Sequence, residues 1–249
     1  MYEISYIRKK FVFRRNFMQK VIPAILTSDP EYLRAKLQLF QGESEWLHID
    51  IMDGTLVPGR TVNLFELGEA SEFFNLEIHL MVEDPFKYFE DCSGVRAKRV
   101  LFHAEAIEDI PAFLEKAKNF EFQKSVALGP NLAKLNLEKL SLAKFGLSGV
   151  LLMGIEPGAQ GREFIPSVLE KIREVRGRTP YVIGVDGGVK KENIKAIFQA
   201  GADYVVVGSE IMKAEHPLEV LKSLEEMVQS IKFKCQNPKS KTKSTPSKS

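Results

Sequence analysis

Histidine and aspartate side chains occur near the ends of several short apolar segments of this sequence. Four of them could act together: His48, Asp50, His79 and Asp186. Imidazole nitrogens and carboxylate oxygens are donors that divalent first-row metals accept, and two of each make an N₂O₂ set. Each residue alone has an ordinary explanation, such as a hydrogen-bonded histidine or a helix-capping aspartate. Their coincidence at segment ends predicts a metal site.

The segment from Trp46 to Gly54 divides its side chains between two faces, because side chains alternate along a strand. The polar set is His48 and Asp50, which share their face with Met52, and the aliphatic set is Leu47, Ile49 and Ile51. We expect the aliphatic set to pack on helices, which leaves the polar set on the opposite side. A buried aspartate there must be paired or metal-bound, since an isolated buried carboxylate is costly.

Glycines cluster in three later loops in a way that suits an anion. The candidate phosphate contacts are Gly158, Gly161, Arg162, Gly187, Gly188, Gly208 and Ser209. Backbone N–H groups beside glycine can approach an anion closely, and a helix N-terminus adds a favourable dipole. A single glycine pair would indicate only a turn. Three glycine sites on successive loops favour a phosphate site.

Eight short apolar segments would position these residues. They are 21–26, 46–51, 76–81, 99–103, 124–128, 149–153, 181–185 and 203–207. Eight strand and helix units in a chain of this size fit a closed (β/α)₈ TIM barrel, in which chemistry takes place at the C-terminal ends of the strands. An open doubly wound sheet is the alternative architecture.

Helices are predicted between the apolar segments. Apolar residues at spacings of three and four are Ile165, Val168, Leu169, Ile172 and Val175, and again Leu218, Leu221, Leu224, Val228 and Ile231. Such spacing lays one apolar stripe along a helix. Glycines upstream of four segments predict helix ends in the left-handed conformation. They are Gly42, Gly94, Gly146 and Gly201.

The composition limits the class of protein. The 249 residues are 44% hydrophobic and 27% charged, which excludes a collagen-like or wholly disordered chain. No apolar run approaches the roughly 18 residues of a membrane span. Residues 21–231 carry 23 basic and 32 acidic residues, and this acidic balance makes nucleic-acid binding an unfavoured function. The two cysteines, Cys92 and Cys235, are too few for a disulfide framework, so we expect a reducing, cytoplasmic location.

Three parts are predicted along the chain. Residues 1–20 form a basic N-terminal extension, residues 21–231 form the barrel, and residues 232–249 form a disordered tail rich in lysine and serine. Met18 is an alternative start for the chain. A weak transit segment is the alternative function for the basic head. For the tail, the alternative is a tether to nucleic acid or a membrane.

Six motifs taken together resemble the ribulose-phosphate 3-epimerase family. They are PAILTSD at 23–29, LHIDIMDGTLVP at 47–58, HLM at 79–81, EPG at 156–158, VDGG at 185–188 and VGS at 207–209. The resemblance runs in order through about residues 21–231 and leaves both basic ends outside it. Its most specific part is the motif at 47–58, because few barrels place His, Asp, Met and Asp-Gly at that spacing.

The resemblance implies a metal-dependent epimerase of the pentose phosphate pathway that interconverts D-ribulose 5-phosphate and D-xylulose 5-phosphate. It implies metal ligands at His48, Asp50, His79 and Asp186 and an acid and base pair at Asp50 and Asp186. It also implies a substrate contact by His79 and substrate packing by Met52, Met81 and Met153. One divalent ion (Fe²⁺, Zn²⁺, Mn²⁺ or Co²⁺) would stabilise the enediolate formed between two proton transfers. The resemblance also implies that the substrate is a small sugar phosphate and that the protein forms a homo-oligomer.

Several substrate-side positions depart from the family pattern. They are Ala24, Thr55, Gly59, Gly154, Ala159, Gln160 and Gly184. These departures leave open another ketose phosphate, for instance allulose 6-phosphate, as the substrate. A catalytically dead phosphate-binding barrel is a further alternative. The two retained aspartates argue against it, because a protein that only binds phosphate needs no acid and base pair. We also predict that Arg162 replaces lost backbone contacts with a charge-assisted bond to phosphate.

Overall fold

Eight parallel strands form a closed barrel in which each strand pairs with the next and β8 pairs with β1. The computed structural model describes residues 20–130, 146–158, 161–179 and 181–236. The strands are β1 (Lys20–Ile25), β2 (Trp46–Met52), β3 (Asn75–Met81), β4 (Arg99–His103), β5 (Gln123–Leu128), β6 (Leu147–Met153), β7 (Val182–Asp186) and β8 (Tyr204–Val207). The predicted (β/α)₈ barrel is confirmed, and the open doubly wound sheet is wrong.

Alternation along the strands separates two apolar regions. Leu47, Ile49 and Ile51 of β2 belong to the large cluster between the strands and the outer helices, as predicted. A second cluster fills the barrel interior and includes Leu101, Leu151 and Val206. Because parallel strands of a barrel are covered on both faces, their sequences are nearly continuous in apolar residues. The few polar residues on the inner face are therefore conspicuous.

The α-helices lie outside the strands. They are α1 (Pro30–Phe40), α2 (Phe89–Gly94), α3 (Ile110–Lys116), α4 (Val168–Arg178), α5 (Ile194–Ala200), α6 (Ser209–Met212) and α7 (Pro217–Gln236). The two predicted apolar stripes lie on and just before α4 and along α7, where Val168, Ile172, Leu221 and Leu224 are buried. Helix α7 is described as far as Gln236, so it continues five residues beyond 231, the predicted end of the barrel.

Short 3₁₀ helices fill several connections. They are Leu64–Leu67, Ala70–Glu72, Pro85–Tyr88, Ala104–Ala106 and Ala117–Asn119. The connection between β2 and β3 contains two of these 3₁₀ helices and no α-helix, so the unit after β2 departs from the regular pattern. Within the described ranges, no helix combines the length and the apolar character that a membrane crossing requires.

Three of the four predicted glycine caps adopt the left-handed conformation: Gly42, Gly146 and Gly201 have φ values of 78°, 86° and 118°. The prediction for Gly94 is wrong, because Gly94 is the last residue of α2 and Arg96 takes the left-handed conformation with φ 53°. The amide of Ala97 donates to the carbonyl of Cys92 at 2.9 Å, which closes the helix end around Arg96.

Some sequence predictions concern residues that lie outside the described ranges. These are the head up to residue 19, including Met18, the tail from residue 237, and the loop positions Ala159 and Gln160.

Candidate active site

The four predicted metal ligands meet at the C-terminal mouth of the barrel. His48 and Asp50 lie on β2, His79 lies beside Asp50 on β3, and Asp186 is the last residue of β7. One ligand atom from each residue lies within 4.8 Å of the ligand atoms of the other three. Both histidines are fully buried, and Asp50 is 6% exposed. This group could hold one metal ion.

The Asp50 carboxylate lies between the two histidines. Its Oδ1 is 3.2 Å from Nε2 of His48 and 3.0 Å from Nδ1 of His79. The same Nδ1 of His79 is 3.7 Å from Oδ2 of Asp186. Nε2 of His48 and Nδ1 of His79 both face the Asp50 carboxylate, so these are the two nitrogens available to a metal ion.

The contact made by the other nitrogen of His48, Nδ1, shows that this nitrogen carries a hydrogen. Nδ1 of His48 is 2.7 Å from Oε1 of Glu77, and the other oxygen of that buried carboxylate pairs with Arg99. An ionised carboxylate only accepts, so Nδ1 carries a hydrogen. Nε2 faces the anionic Asp50, and either a proton on Nε2 or a metal ion between the two atoms satisfies that contact. The donor set suits a divalent metal.

Arg99 completes a buried support beneath His48. Its guanidinium carbon lies 4.7 Å from the ring centre of Trp46 and 4.9 Å from that of Tyr204, so it is held between two aromatic rings. Glu77 is fully buried and Arg99 is 2% exposed. Burial raises the pKa of the Glu77 carboxyl, but Arg99 and His48 outweigh it and hold that pKa below its usual value. Glu77 is therefore an anionic acceptor for His48.

The two aspartates have opposite pKa shifts. Burial favours the neutral carboxyl of both residues. For Asp186, burial, reinforced by the charge of Asp50, raises the pKa to about 7 despite the opposing charge of His48. For Asp50, hydrogen bonds and charge interactions with His48 and His79 overcome burial and hold the pKa well below its usual range.

The two histidines also differ. For His48, burial lowers the pKa, but hydrogen bonds and charge interactions with Asp50 and Glu77 raise it well above its usual value. For His79, burial lowers the pKa to about 4, with a further contribution from the charge of His103 that the Asp50 hydrogen bond only partly offsets. Without a metal ion, therefore, His48 is the cationic histidine of the site and His79 the neutral one.

A pocket lies above His48, Asp50, His79 and Asp186, and the glycine loops form part of its wall. It is lined by Leu26, Asp50, Met81, Met153, Ile155, Pro157, Gly158, Gly161, Asp186, Gly187, Gly188, Val189, Gly208 and Ser209. Both aspartates, all five predicted glycines and Ser209 therefore line one pocket. Apart from the two carboxylates and the Ser209 hydroxyl, the lining is apolar side chains and backbone, which leaves amides available to an anion.

Four predicted site residues do not line this pocket. His48 and His79 lie buried below it, where only their carboxylate-facing nitrogens reach the ligand group. Met52 packs with Val57 and Met81 at its side. The exposed Arg162 donates from Nη1 to the carbonyl of Glu156 at 3.4 Å.

Glycine is required at 187 and 188 by both conformation and space. Their φ values are 95° and 66°. A Cβ at 187 would come within 2.4 Å of the Ile155 side chain, and one at 188 would come within 2.7 Å of the backbone of Phe164. The loops after β6 and β7 are therefore packed directly on one another. Close packing alone accounts for these glycines, and it also brings their amides to the pocket wall.

Two departures from the family pattern lie inside the barrel or between strand ends. A Cβ at Gly184 would lie 2.3 Å from the Tyr204 ring, so the missing side chain makes room for the aromatic ring that covers Arg99. At Gly154, a Cβ would lie 2.3 Å from the carbonyl oxygen of Gly187, and the Gly154 amide donates to the Asp186 carbonyl at 2.6 Å. Gly184 thus serves packing, and Gly154 lets the loop after β6 approach Asp186.

Four residues at the site were not predicted from the sequence: Glu77, Arg99, His103 and Glu105. Strand alternation contains a signal for the first three, since Glu77 shares the inner face with His79, and Arg99 and His103 share the inner face of β4 with Leu101. Nε2 of His103 lies 2.9 Å from Nε2 of His79, and Nδ1 of His103 lies 3.4 Å from Oε2 of Glu105.

Comparisons with known proteins agree with this geometry. The profile of the ribulose-phosphate 3 epimerase family matches residues 20–212. The chain is 33% identical over 216 residues to a ribulose-phosphate 3-epimerase, cytoplasmic isoform, of Oryza sativa, covering 84% of this chain and 94% of the rice protein. It is 34% identical over 203 residues to a ribulose-phosphate 3-epimerase of Bacillus subtilis, covering 78% of this chain and 92% of the bacterial protein.

Among solved structures, 3-hexulose-6-phosphate synthase from Salmonella typhimurium superposes with a TM-score of 0.66 at 17% identity, covering 86% of this chain and all of that one. A likeness at this identity shows the fold alone. The family match extends from the first strand to α6 and includes every residue of the ligand group. The chain is therefore a member of the ribulose-phosphate 3-epimerase family, an epimerase enzyme built on a (β/α)₈ barrel.

Proposed function

We propose that this protein is a metal-dependent epimerase that inverts C3 of a ketose phosphate and interconverts D-ribulose 5-phosphate and D-xylulose 5-phosphate. One observation carries the proposal: a single pocket is lined by Asp50, Asp186 and the glycines of three successive loops. The reaction needs an acid, a base and a phosphate site within the length of one small sugar. The rice and Bacillus relatives carry the name of this enzyme.

The ligand group would hold the metal ion. Nε2 of His48, Nδ1 of His79 and one oxygen each of Asp50 and Asp186 are the donors. Fe²⁺, Zn²⁺, Mn²⁺ and Co²⁺ all suit two imidazoles with two carboxylates. When bound, the ion would supply positive charge that stabilises the enediolate. Glu77 would hold the His48 ring in the orientation that leaves Nε2 free of hydrogen.

The two aspartates would carry the protons. Inversion at a carbon beside a ketone requires removal of a proton from one face and delivery of a proton to the other. Asp50 and Asp186 reach the pocket from β2 and β7, with carboxylate oxygens no more than 4.8 Å apart. A sugar carbon between them would have one carboxyl group on each face. Each residue would act as base in one direction of the reaction and as acid in the other.

The remaining pocket residues would bind the substrate around C3. Met81 and Met153 offer flexible apolar contacts beside the reacting carbon. The amides of the glycine loops, with the Ser209 hydroxyl, would bind the phosphate. We place the enzyme in the pentose phosphate pathway and in the cytoplasm, the location in the name of the rice relative. A homo-oligomer is proposed on the family resemblance alone.

The proposal is tested by incubating the full-length, metal-loaded protein with D-ribulose 5-phosphate in D₂O. We expect D-xylulose 5-phosphate to form with one solvent deuterium at C3, since the proton removed exchanges with solvent before another is returned. Allulose 6-phosphate serves as the comparison substrate. A higher kcat/KM for allulose 6-phosphate would identify a six-carbon substrate. Absence of deuterium from both sugars with each of the four metals would indicate a non-catalytic barrel.

Replacement of Arg162 by alanine tests its predicted phosphate contact. Arg162 is exposed on the loop after β6, where its guanidinium is free to turn from the Glu156 carbonyl towards an anion. Loss of a charge-assisted hydrogen bond is expected to raise KM roughly tenfold and to leave kcat nearly unchanged. Arg173→Ala removes an exposed arginine of α4 and is the matched control. An unchanged KM in the Arg162 variant would contradict the contact.

A further inference from the structure

A third buried histidine, His103, lies directly behind His79 at the end of β4. The two rings are 5.0 Å apart between centres and 18° from parallel, and their Nε2 atoms are 2.9 Å apart. His103 is 1% exposed. A nitrogen–nitrogen contact at this distance holds one hydrogen, which one ring donates and the other accepts. The hydrogen positions of the two histidines are therefore linked.

The carboxylates around His79 decide the direction of donation when a metal is bound. Nδ1 of His79 faces Asp50 at 3.0 Å and Asp186 at 3.7 Å, so Nδ1 is the nitrogen that would ligate the ion and must lack a hydrogen. The hydrogen of the neutral ring is then on Nε2. His79 donates it, and Nε2 of His103 accepts it.

The same constraint passes to Glu105. With Nε2 accepting, neutral His103 carries its hydrogen on Nδ1, and this atom lies 3.4 Å from Oε2 of Glu105. The other carboxylate oxygen of Glu105 accepts from the Gly129 amide at 3.1 Å, which anchors the side chain to the end of β5. A metal ion at Nδ1 of His79 thus requires Nε2 of His79 to donate, Nε2 of His103 to accept, and Nδ1 of His103 to carry the hydrogen that faces Glu105.

We propose that His103 and Glu105 are positioning residues that keep His79 in the form that binds the metal. This inference rests on the metal site of the proposed function and adds residues that touch neither the ion nor the substrate. Partners of this kind fix the hydrogen position and the ring orientation of a metal-binding histidine. His48 has an equivalent partner in Glu77. His79 differs because its partner is another histidine, which is itself backed by the Glu105 carboxylate.

Metal affinity of the full-length protein tests the proposal without reference to turnover. Co²⁺ binding is measured by competition with a chromophoric chelator, and the visible spectrum of bound Co²⁺ reports ligand geometry. His103→Leu removes the acceptor and is expected to weaken Co²⁺ binding about 10-fold to 100-fold and to change the spectrum. His103→Gln supplies a carbonyl acceptor near the same place and is expected to recover most of the affinity. Glu105→Ala should have a smaller effect, because that side chain is 35% exposed and water can replace it.

Leu101→Ala is the matched control for loss of packing. Leu101 is fully buried on the inner face of β4, two residues before His103, and makes no part of the hydrogen-bonded path. The control should lower the unfolding temperature and leave Co²⁺ affinity within about twofold. Wild-type affinity in His103→Leu, or equal losses in Leu101→Ala and His103→Leu, would overturn the proposal. If the variants behave as expected while the wild type fails to epimerise any ketose phosphate, the positioning role stands and the proposed function falls.

Discussion

Asp186→Asn is expected to reduce turnover of D-ribulose 5-phosphate by about three orders of magnitude, the loss typical of a missing general acid or base. Asparagine keeps the shape of the side chain and an oxygen that can still contact a metal ion. It cannot take or give a proton at C3. Turnover is measured at saturating Co²⁺, so that weaker metal binding does not limit the rate.

The fold of this variant should be intact. Burial raises the pKa of Asp186 to about 7, so the native site disfavours the charged carboxylate relative to the unfolded chain. Asparagine removes that cost, and the unfolding temperature without metal should equal or exceed that of the wild type. Glu163→Gln removes a carboxylate from an exposed position of the loop after β6 and is the control, with wild-type turnover expected.

Isotope exchange gives a sharper readout of the two-aspartate assignment. In Asp186→Asn, Asp50 can still remove and return a proton on its own face of the sugar. One of the two epimers should therefore exchange its C3 hydrogen with D₂O without being inverted, and the other should not. Asp50→Asn should show the opposite preference. Normal inversion in Asp186→Asn, or the same epimer exchanging in both variants, would contradict the assignment.

Strand alternation made most of the ligand group predictable from the sequence. His48 and Asp50 lie at alternate positions of β2, opposite an aliphatic set, which requires that their face of the strand meets something other than helices. Once β2, β3 and β7 lie in one parallel barrel, their C-terminal residues must meet at one rim. His48, Asp50, His79 and Asp186 follow from those two facts.

The partners behind the ligands were harder to predict, because they depend on which strands are neighbours and on rotamers. Glu77 and Arg99 occupy buried positions where a charge alone would be costly, and only their pairing makes them acceptable. Gly184 illustrates the same limit. Its lack of a side chain makes sense only beside Tyr204, which is its register partner on β8.

Stripping divalent ions from the protein is expected to abolish turnover. Without a metal, His48 is the cationic group beside Asp50, because Asp50 and Glu77 raise its pKa well above the usual value despite burial. A proton on Nε2 then occupies the position of the ligand lone pair, and the enediolate loses the positive charge that stabilises it. Fe²⁺, Mn²⁺, Co²⁺ or Zn²⁺ should restore activity, whereas Ca²⁺ should not, because it prefers oxygen ligands.

The ions that restore activity should also raise the unfolding temperature, and Ca²⁺ should not, because an ion that binds only the folded state stabilises it by about 2.7 kcal/mol at one hundred times its Kd. His79→Asn should lose most of this stabilisation, whereas the exposed His216→Asn should retain it. Turnover, metal content and unfolding temperature are measured on the same dialysed samples. Full turnover in a sample whose metal content is below a few per cent of the protein would refute the metal requirement. The family membership and the barrel would stand, and cationic His48 would be the group that supplies positive charge to the enediolate formed between Asp50 and Asp186.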